Sequence, residues 1–292
     1  MKRFFQIEHE GQPRHAVEEN GEWRLVVGDI FGAFRLDRSI PGEGHRLLPP
    51  VMPSKIVCVG LNYKDHAAEQ NKPLPAQPLL FIKPSTCVIG PNDTIHLPSG
   101  AGYIHHEAEM AVVIGRRASR VSENDAGDYV FGITCMNDVT ARELQEKGVG
   151  YTWAKGFDTF APIGPCIATA DEIKDPNDLI VRFWDDGVLR HNYNTDDMEH
   201  RVPELVEWAT TVMTMNSGDL IACGTNHEGL GFLQDGETVD IEIQHIGKMT
   251  LEVRDPLKRT WEKGVYMGVD STNPDAVKRH RPQGGATATG AV

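Results

Sequence analysis

Short apolar runs constrain this chain more than any other feature. Between residues 55 and 247 they read "KIVCVG", "PLLFIKP", "EMAVVIG", "YVFGITCMND", "DLIVRFW", "DLIACGT" and "ETVDIEIQHIG". Clusters of Gly, Pro, Asn and Asp bound these runs, which is the pattern of a β-rich domain. Helical patterns are few: Val202–Met213 is one, and "NDVTARELQEKG", which ends at Gly148, is another. We therefore predict a β-rich α+β fold.

A proline-rich junction, "LLPPVMP", interrupts the chain near residue 50. Proline cannot continue a helix or a central strand, so a domain boundary is expected there. We predict a small N-terminal domain over 1–52, a main domain over 53–253 and a C-terminal extension over 254–292. The end of the extension, "RPQGGATATGAV", consists mostly of small residues and is expected to be mobile.

Composition excludes several functional classes. The 292 residues carry a formal net charge of −13, which argues against nucleic acid as a partner because such binding needs Lys and Arg on phosphates. No apolar run approaches the roughly 18 residues of a membrane span, and the first residues lack the apolar region of a secretory signal. The five cysteines are widely spaced, without a C-x-x-C pair, and are expected to be buried free thiols. These features favour a cytoplasmic protein.

Two acids stand at the start of an apolar run in "YIHHEAEMAVVIG". On a strand, Glu107 and Glu109 would project from the same face. A hard divalent cation such as Mg²⁺ or Mn²⁺, with Ca²⁺ as an alternative, would relieve the repulsion between two carboxylates. Asp138, at the end of another apolar run, is a further candidate site residue, because strand ends are common positions for such residues. The alternatives are a solvated strand face for the pair and a helix N-cap for Asp138.

Two further segments carry candidate catalytic side chains. In "GLNYKDHAAEQ", His66 and Glu69 would share a helix face, where a carboxylate can orient an imidazole as a general base. In "YTWAKGFDTF", Lys155 lies among aromatic and small residues and could stabilise an oxyanion. A surface His/Glu pair and an ordinary snorkelling lysine remain the alternatives.

Taken together, these segments resemble the fumarylacetoacetate hydrolase family. The resemblance extends over about Lys55 to Val253 and rests on "KIVCVGLNYKDHAAE", "LLFIKPSTCVIGP", "HHEAEMAVVIGRR", "YVFGITCMNDVTARELQ", "WAKGFDTFAPIGP" and "GDLIACGT". It implies a mixed β-sandwich roll behind a small N-terminal domain, and a homodimer.

The resemblance also implies roles for individual residues. The metal ligands would be Glu107, Glu109 and Asp138, and the catalytic residues His66, Glu69 and Lys155, with the His/Glu dyad on a lid over the substrate. Arg142 and Gln145 match residues that contact the substrate's carboxylate or keto oxygens. The remaining substrate-binding candidates are Asn62, Tyr63, Lys83 and Thr225.

The sequence departs from the family's pattern in two places. The usual G-T-P-x-G-V-G loop reads "GTNHEGLG", with Asn226 and His227 where a proline and a variable residue are expected. His191, in "DGVLRHNYNT", replaces a glutamine that is frequent in the family. Both changes put the substrate's tail in doubt, so we do not carry over the specificity of any single member.

The resemblance implies an enzyme for 2-oxo or β-diketo acids in which the cation stabilises an enolate. We expect a hydrolase that cleaves a C–C bond in an acylpyruvate or 2,4-diketo acid, in aromatic or sugar-acid catabolism. A decarboxylase or an isomerase/tautomerase of an oxaloacetate-like or 2-hydroxy-diene-dioate substrate is the alternative, because the same enolate serves each reaction. A non-catalytic metal-binding protein is a third hypothesis, and the presence of His66, Glu69 and Lys155 speaks against it.

Overall fold

The computed structural model describes residues 2–69, 71–226 and 229–262, the side chain of Glu69 excepted. These residues form β-sheets with short helices. The strands are β1 (Lys2–His9), β2 (Gln12–Glu19), β3 (Glu22–Gly28), β4 (Phe34–Ile40), β5 (Leu47–Leu48), β6 (Lys55–Gly60), β7 (Leu79–Pro84), β8 (Val88–Ile89), β9 (Thr94–His96), β10 (Ile104–His105), β11 (Ala108–Ile114), β12 (Val130–Asn137), β13 (Thr140–Ala141), β14 (Ala161–Thr169), β15 (Ile180–Asp185), β16 (Val188–Asn194), β17 (Leu220–Ala222), β18 (Thr238–Ile243) and β19 (Gly247–Arg254). The helices are α1 (Lys64–Glu69), α2 (Arg142–Glu146), α3 (Tyr151–Lys155) and α4 (Val202–Val212), with 3-10 turns at Ser85–Cys87, Glu123–Tyr129, Ala170–Glu172 and Thr195–Asp197.

A large sheet runs in the order β4-β3-β2-β1-β14-β12-β11-β17-β6-β7, and β11 lies near its centre. Every residue of β11 is buried. Its side chains alternate between two apolar clusters: Met110, Val112 and Ile114 enter one, and Ala111 and Val113 enter the other. Because both faces of the sheet are covered, the strand reads as a continuous apolar run instead of an alternating one.

A second sheet, in the order β16-β15-β18-β19-β9, packs against one face of the first. Its strands alternate between buried and partly exposed residues, as in β15 and β18. The buried residues Val181, Phe183 and Ile241 belong to the same apolar cluster as Met110 and Val112 of the large sheet. Two sheets therefore enclose one core, which confirms the predicted β-rich α+β fold.

The predicted strands are all present; "KIVCVG" coincides with β6, and the other runs differ from their strands by a residue or more at one end or both. The helix predicted over Val202–Met213 spans Val202–Val212. The five cysteines are buried and free, as predicted. No helix in the described part of the chain is long and apolar enough to cross a membrane.

The N-terminal strands continue the large sheet, since β1 pairs with β14 through Arg3↔Ala168 and Phe4↔Ile167. The division of the chain at residue 52 stays a prediction, and strands from both sides of it share this sheet. The expected mobile tail, 281–292, lies outside the described residues.

Candidate active site

The acids predicted from the sequence come together at the ends of two neighbouring strands. Oxygen atoms of Glu107, Glu109 and Asp138 all lie within 4.8 Å of one another, and the three residues are buried. Glu107 immediately precedes β11 and Glu109 lies within it, while Asp138 follows β12. The antiparallel pairing of β11 with β12 is extended by a hydrogen bond of 2.8 Å from the Asp138 amide to the Glu107 carbonyl.

Asp138 does not cap a helix, so the alternative interpretation of this residue was wrong. The segment after it forms β13, paired with β10, before α2 begins at Arg142 with Ala141 at its N-cap. This short strand displaces the start of the predicted helix by several residues. Asp138 is left at the end of β12, where its carboxylate reaches the two glutamates.

Buried cations lie against the carboxylates. Lys155 donates to Glu107 Oε2 at 2.9 Å and also to Asp138 Oδ2. Lys83 is fully buried and donates to Asp138 Oδ1 at 2.5 Å and to the Val139 carbonyl at 3.1 Å. Both lysines therefore hold the carboxylates in place. The predicted contact of Lys83 with substrate remains untested, and its ammonium is engaged with Asp138.

Arg142 and Gln145 form the outer part of this network. The Arg142 guanidinium bonds to Glu107 Oε1, and a second nitrogen of the group donates to Gln145 Oε1 at 2.5 Å. Its Nε donates to His105 Nδ1 at 3.4 Å. Both predicted carboxylate-recognition residues therefore stand beside the candidate metal ligands.

The electrostatics differ between the two glutamates. Burial works against the charge of Glu107, yet Lys155 and Arg142 hold its pKa well below the ordinary value. Burial, with the nearby charges of Asp138 and Glu107, raises the pKa of Glu109. Although burial also opposes the charge of Lys155, Asp138 and Glu107 raise its pKa. Lys155 is therefore a stable cation here and not a proton acceptor.

The donor set fits a hard divalent cation. Its ligand atoms are carboxylate oxygens, which Mg²⁺, Mn²⁺ and Ca²⁺ prefer. A carboxylate oxygen has more than one acceptor direction, so the bonds from Lys83, Lys155 and Arg142 orient the ligands without using up their lone pairs. The Glu109 carboxyl, whose charged form is disfavoured by burial and by its acidic neighbours, has the most to gain from a cation.

His66 supplies the candidate base. It is buried on α1, and its Nδ1 lies 2.9 Å from the carbonyl of Thr225. Since a carbonyl only accepts, Nδ1 carries the proton and Nε2 has the lone pair. Burial lowers the pKa of His66 to about 4, and the charges of Glu107, Arg142 and Lys155 act on the ring. The side chain of Glu69, predicted to orient His66, lies outside the described residues.

The remaining substrate-binding candidates lie deeper. Asn62 is fully buried, and its amide nitrogen donates to the carbonyls of His200 and Cys223 at 3.1 and 2.9 Å. Its oxygen accepts from the His200 amide at 2.9 Å. Tyr63 is fully buried too, with its ring edge-on to Tyr193 at 5.1 Å. Asn62 and Tyr63 thus support the site from within the protein, and Thr225 borders it through its carbonyl.

Sequence reasoning missed several contributors. The Thr140 hydroxyl accepts from Lys155 at 2.8 Å and donates to the Asp138 carbonyl at 2.8 Å. Asn137 Oδ1 accepts from the Glu107 amide, and the Gly224 amide donates to Glu109 Oε2, both at 2.9 Å. Thr140 and Asn137 lie close to Asp138 in the sequence and Gly224 precedes Thr225, which was an available signal, but only the fold brings the Gly224 amide to Glu109.

Comparison with known proteins shows the family of this chain. The family model for the fumarylacetoacetate hydrolase C-terminal region matches residues 55–254. The chain belongs to the fumarylacetoacetate hydrolase family. The match covers nearly the whole of the predicted main domain, and it includes the residues of the candidate site described above.

Relatives in this family carry different activities. A mitochondrial oxaloacetate tautomerase, FAHD2B of Bos taurus, is 39% identical over 246 residues, which are 80% of this chain and 78% of that protein. The structure of 2-hydroxyhepta-2,4-diene-1,7-dioate isomerase from Mycobacterium marinum superimposes with a TM-score of 0.80 and 39% identity, covering 88% of this chain and 99% of that one. The structure of maleylpyruvate hydrolase from Sphingobium sp. SYK-6, in complex with manganese(II) and pyruvate, superimposes with a TM-score of 0.73 and 30% identity. That match covers 87% of this chain and 99% of the hydrolase chain. Isomerases, tautomerases and hydrolases therefore share this fold.

Proposed function

We propose that this protein is a metal-dependent enzyme for a 2-oxo dicarboxylic acid and that it moves a proton between carbon and oxygen through an enolate. The observation that carries the proposal is the position of His66, a buried neutral base, near a carboxylate cluster flanked by Arg142 and Lys155. The cations suit an acid substrate and its enolate. The resemblance to an oxaloacetate tautomerase and a diene-dioate isomerase supports proton transfer as the reaction.

Each side chain has a distinct task in this proposal. A divalent cation held by Glu107, Glu109 and Asp138 would supply Lewis acidity toward the substrate's carbonyl oxygen. Arg142 binds a substrate carboxylate, and Gln145 fixes the direction of its guanidinium. Lys155 stabilises negative charge as it develops on oxygen, because a fixed cation in a buried site needs no reorganisation.

His66 transfers the proton. Its Nδ1 is occupied by the Thr225 carbonyl, so Nε2 takes the proton from the carbon next to the carbonyl and delivers it to the enolate oxygen, and the reverse direction runs the same transfers backwards. The low pKa keeps the ring neutral at pH 7, in the form that can accept. Glu69 is proposed to support His66. Asn62, Tyr63 and Lys83 are proposed to shape the site, and Thr225 to border the substrate.

Hydrolysis of a C–C bond is the second candidate. It is favoured by the resemblance to maleylpyruvate hydrolase, and a neutral His66 could equally take a proton from water. In that reaction a hydroxide equivalent would add to the distal carbonyl, and the enolate of the shorter acid would leave. Mg²⁺ or Mn²⁺ is proposed as the cation, with Ca²⁺ as a weaker alternative. We also retain the predicted homodimer as a proposal.

A substrate panel separates these activities. Oxaloacetate, a 2-hydroxy-diene-dioate, an acylpyruvate and maleylpyruvate are incubated with protein and Mg²⁺ or Mn²⁺, and products are identified by NMR. We expect faster enol–keto interconversion or a shifted double bond, with loss of activity in EDTA. A cleaved acid pair would establish the hydrolase, and CO₂ release would establish a decarboxylase. Tight metal binding without turnover of any substrate would refute an enzymatic function of this class.

A further inference from the structure

The segment Gly224–Asn226 connects two parts of the candidate site. The Gly224 amide donates to Glu109 Oε2, and the Thr225 carbonyl accepts from His66 Nδ1, each over 2.9 Å. Consecutive residues thus orient a metal ligand and the base. A small displacement of this segment would alter both, so what fixes it in place matters for the reaction.

Asn226, the last residue of this segment, is hydrogen-bonded to a buried histidine of the second sheet. His191, on β16, has its Nδ1 2.8 Å from Asn226 Oδ1. His191 is fully buried and Asn226 is 4% exposed, so water does not compete for this bond. In the arrangement that satisfies both groups, the Nδ1–H of His191 donates to the amide oxygen.

Gly229, three residues after Asn226, lies close to the backbone of the same strand. A Cβ atom placed on Gly229 would lie 1.9 Å from the carbonyl oxygen of Arg190, and Gly229 has φ +88°. Only glycine permits this approach. Asn226 and Gly229 therefore both contact β16, at the adjacent residues His191 and Arg190.

His191 is itself fixed by aromatic neighbours. The His106 ring meets it edge-on, with centroids 5.0 Å apart at 85°. His106 stacks on Phe183 at 3.9 Å and 16°, and Phe183 is the Cα partner of His191 across β15 and β16. Because the ring has little room to turn, its Nδ1–H is a directed donor.

We propose that His191 and Asn226 form a positioning pair that fixes the Thr225 carbonyl and thereby sets the tautomer of His66. The pair does not touch the reacting atoms. It keeps the Thr225 carbonyl beside His66 Nδ1. Because Nδ1 must then carry the proton, Nε2 is the basic nitrogen. The link to catalysis rests on the function proposed above, whereas the link to the His66 tautomer does not depend on it.

A matched set of variants tests the pair. Asparagine places an amide N–H near the position of a histidine Nδ1, whereas glutamine places one near Nε2. His191→Asn should therefore retain the bond to Asn226, and His191→Gln should lose it although it fills the space better. Asn226→Ala removes the acceptor from a loop, where the effect on folding is smallest.

The primary readout is the tautomer of His66. Protein labelled with ¹⁵N-histidine is recorded in EDTA, and the His66 signals are assigned by their absence in His66→Gln. We expect the Nδ1–H tautomer in the wild type and in His191→Asn, and a mixture of tautomers in Asn226→Ala and His191→Gln. An unchanged His66 tautomer in Asn226→Ala would overturn the proposal. A larger change of the His66 tautomer in His191→Asn than in His191→Gln would overturn it too, because that result would mean that side-chain packing, and not the hydrogen bond, decides the tautomer.

Turnover of oxaloacetate with Mg²⁺ is the second readout. The two disruptive variants should lower kcat about tenfold and leave KM within about twofold, because a misplaced base affects the chemical step more than binding. Equal losses in all three variants would contradict the pair. If the wild type itself does not turn over oxaloacetate, the proposed function fails, and the tautomer measurement still decides the present proposal.

Discussion

Asp138→Asn is a test of how the buried charges of the site are balanced. The substitution preserves shape but removes the anion that faces Lys83, a side chain with 0% exposure. Lys83 then keeps the Val139 carbonyl and a neutral amide oxygen at position 138 as acceptors, but no anion among its described hydrogen-bond partners. Lys155 also loses Asp138 but keeps Glu107 and Thr140. The largest effect therefore falls on Lys83.

Removing one partner of a buried ion pair costs about 3–5 kcal/mol, since the remaining charge is left without compensation. We expect Asp138→Asn to lower the free energy of unfolding by about that amount in EDTA, which corresponds to roughly 10 °C in Tm. The double variant Lys83→Met/Asp138→Asn should recover most of the loss, because it removes the buried charge and keeps the volume. Neither variant should bind Mn²⁺ at wild-type affinity.

Urea denaturation in EDTA measures the stabilities, and calorimetric titration with Mn²⁺ measures binding. The comparison between the single and double variants isolates the contribution of Lys83. The reasoning fails if Asp138→Asn is as stable as the wild type, or if adding Lys83→Met gives no recovery. Wild-type Mn²⁺ affinity in Asp138→Asn would refute the assignment of Asp138 as a ligand.

His66→Ala should lower kcat about 10²–10⁴-fold with Mn²⁺ affinity unchanged in calorimetry, and an unaltered kcat would remove His66 from the mechanism. The pKa of His66 is about 4 in the folded protein against an ordinary 6.5, so the folded state disfavours the protonated ring. The free energy of unfolding should therefore be highest above pH 6.5 and should fall by roughly 3 kcal/mol as the pH decreases toward 4. Urea midpoints measured against pH should show a shallower loss in His66→Gln over that window. Light scattering should give twice the chain mass of 32.3 kDa. The Trp153 side chain is 66% exposed on α3, which lies beside the edge strand β7. Trp153→Asp should reduce the measured mass to that of the monomer.

The strands, and the acids that come together at their ends, were largely predictable because local chemistry determines them. Apolar runs between turn-forming residues predicted the strands. The E-x-E pair at the start of one such run left both a cation site and a solvated strand face open, and the buried cluster of Glu107, Glu109 and Asp138 favours the cation site. The position of Asp138 at a strand end marked it as a candidate site residue, and the family resemblance proposed it as a ligand. Its surroundings were not predictable, because Lys83 is 55 positions away in sequence and reaches it only through the pairing of the strands.

Side-chain partners across distant segments were beyond sequence reasoning. Lys83 was expected to meet substrate, and the fold directs its ammonium to Asp138. His191 and Asn226 were recognised separately, as departures from the family's pattern, and only the fold shows that they bond to each other. Asn62 is a similar case, since its amide joins the carbonyls of His200 and Cys223.

The burial of β11 at the centre of the large sheet has a consequence for metal exchange. Amide protons of such a strand exchange with solvent only in the most extensive opening reactions, so Glu109 should keep its place whether or not a cation is bound. Ion pairs with Lys83 and Lys155 likewise hold Asp138 in position. A cation bound at this cluster would then leave and return without refolding, and the supply of hard cations around the protein would influence which one is bound.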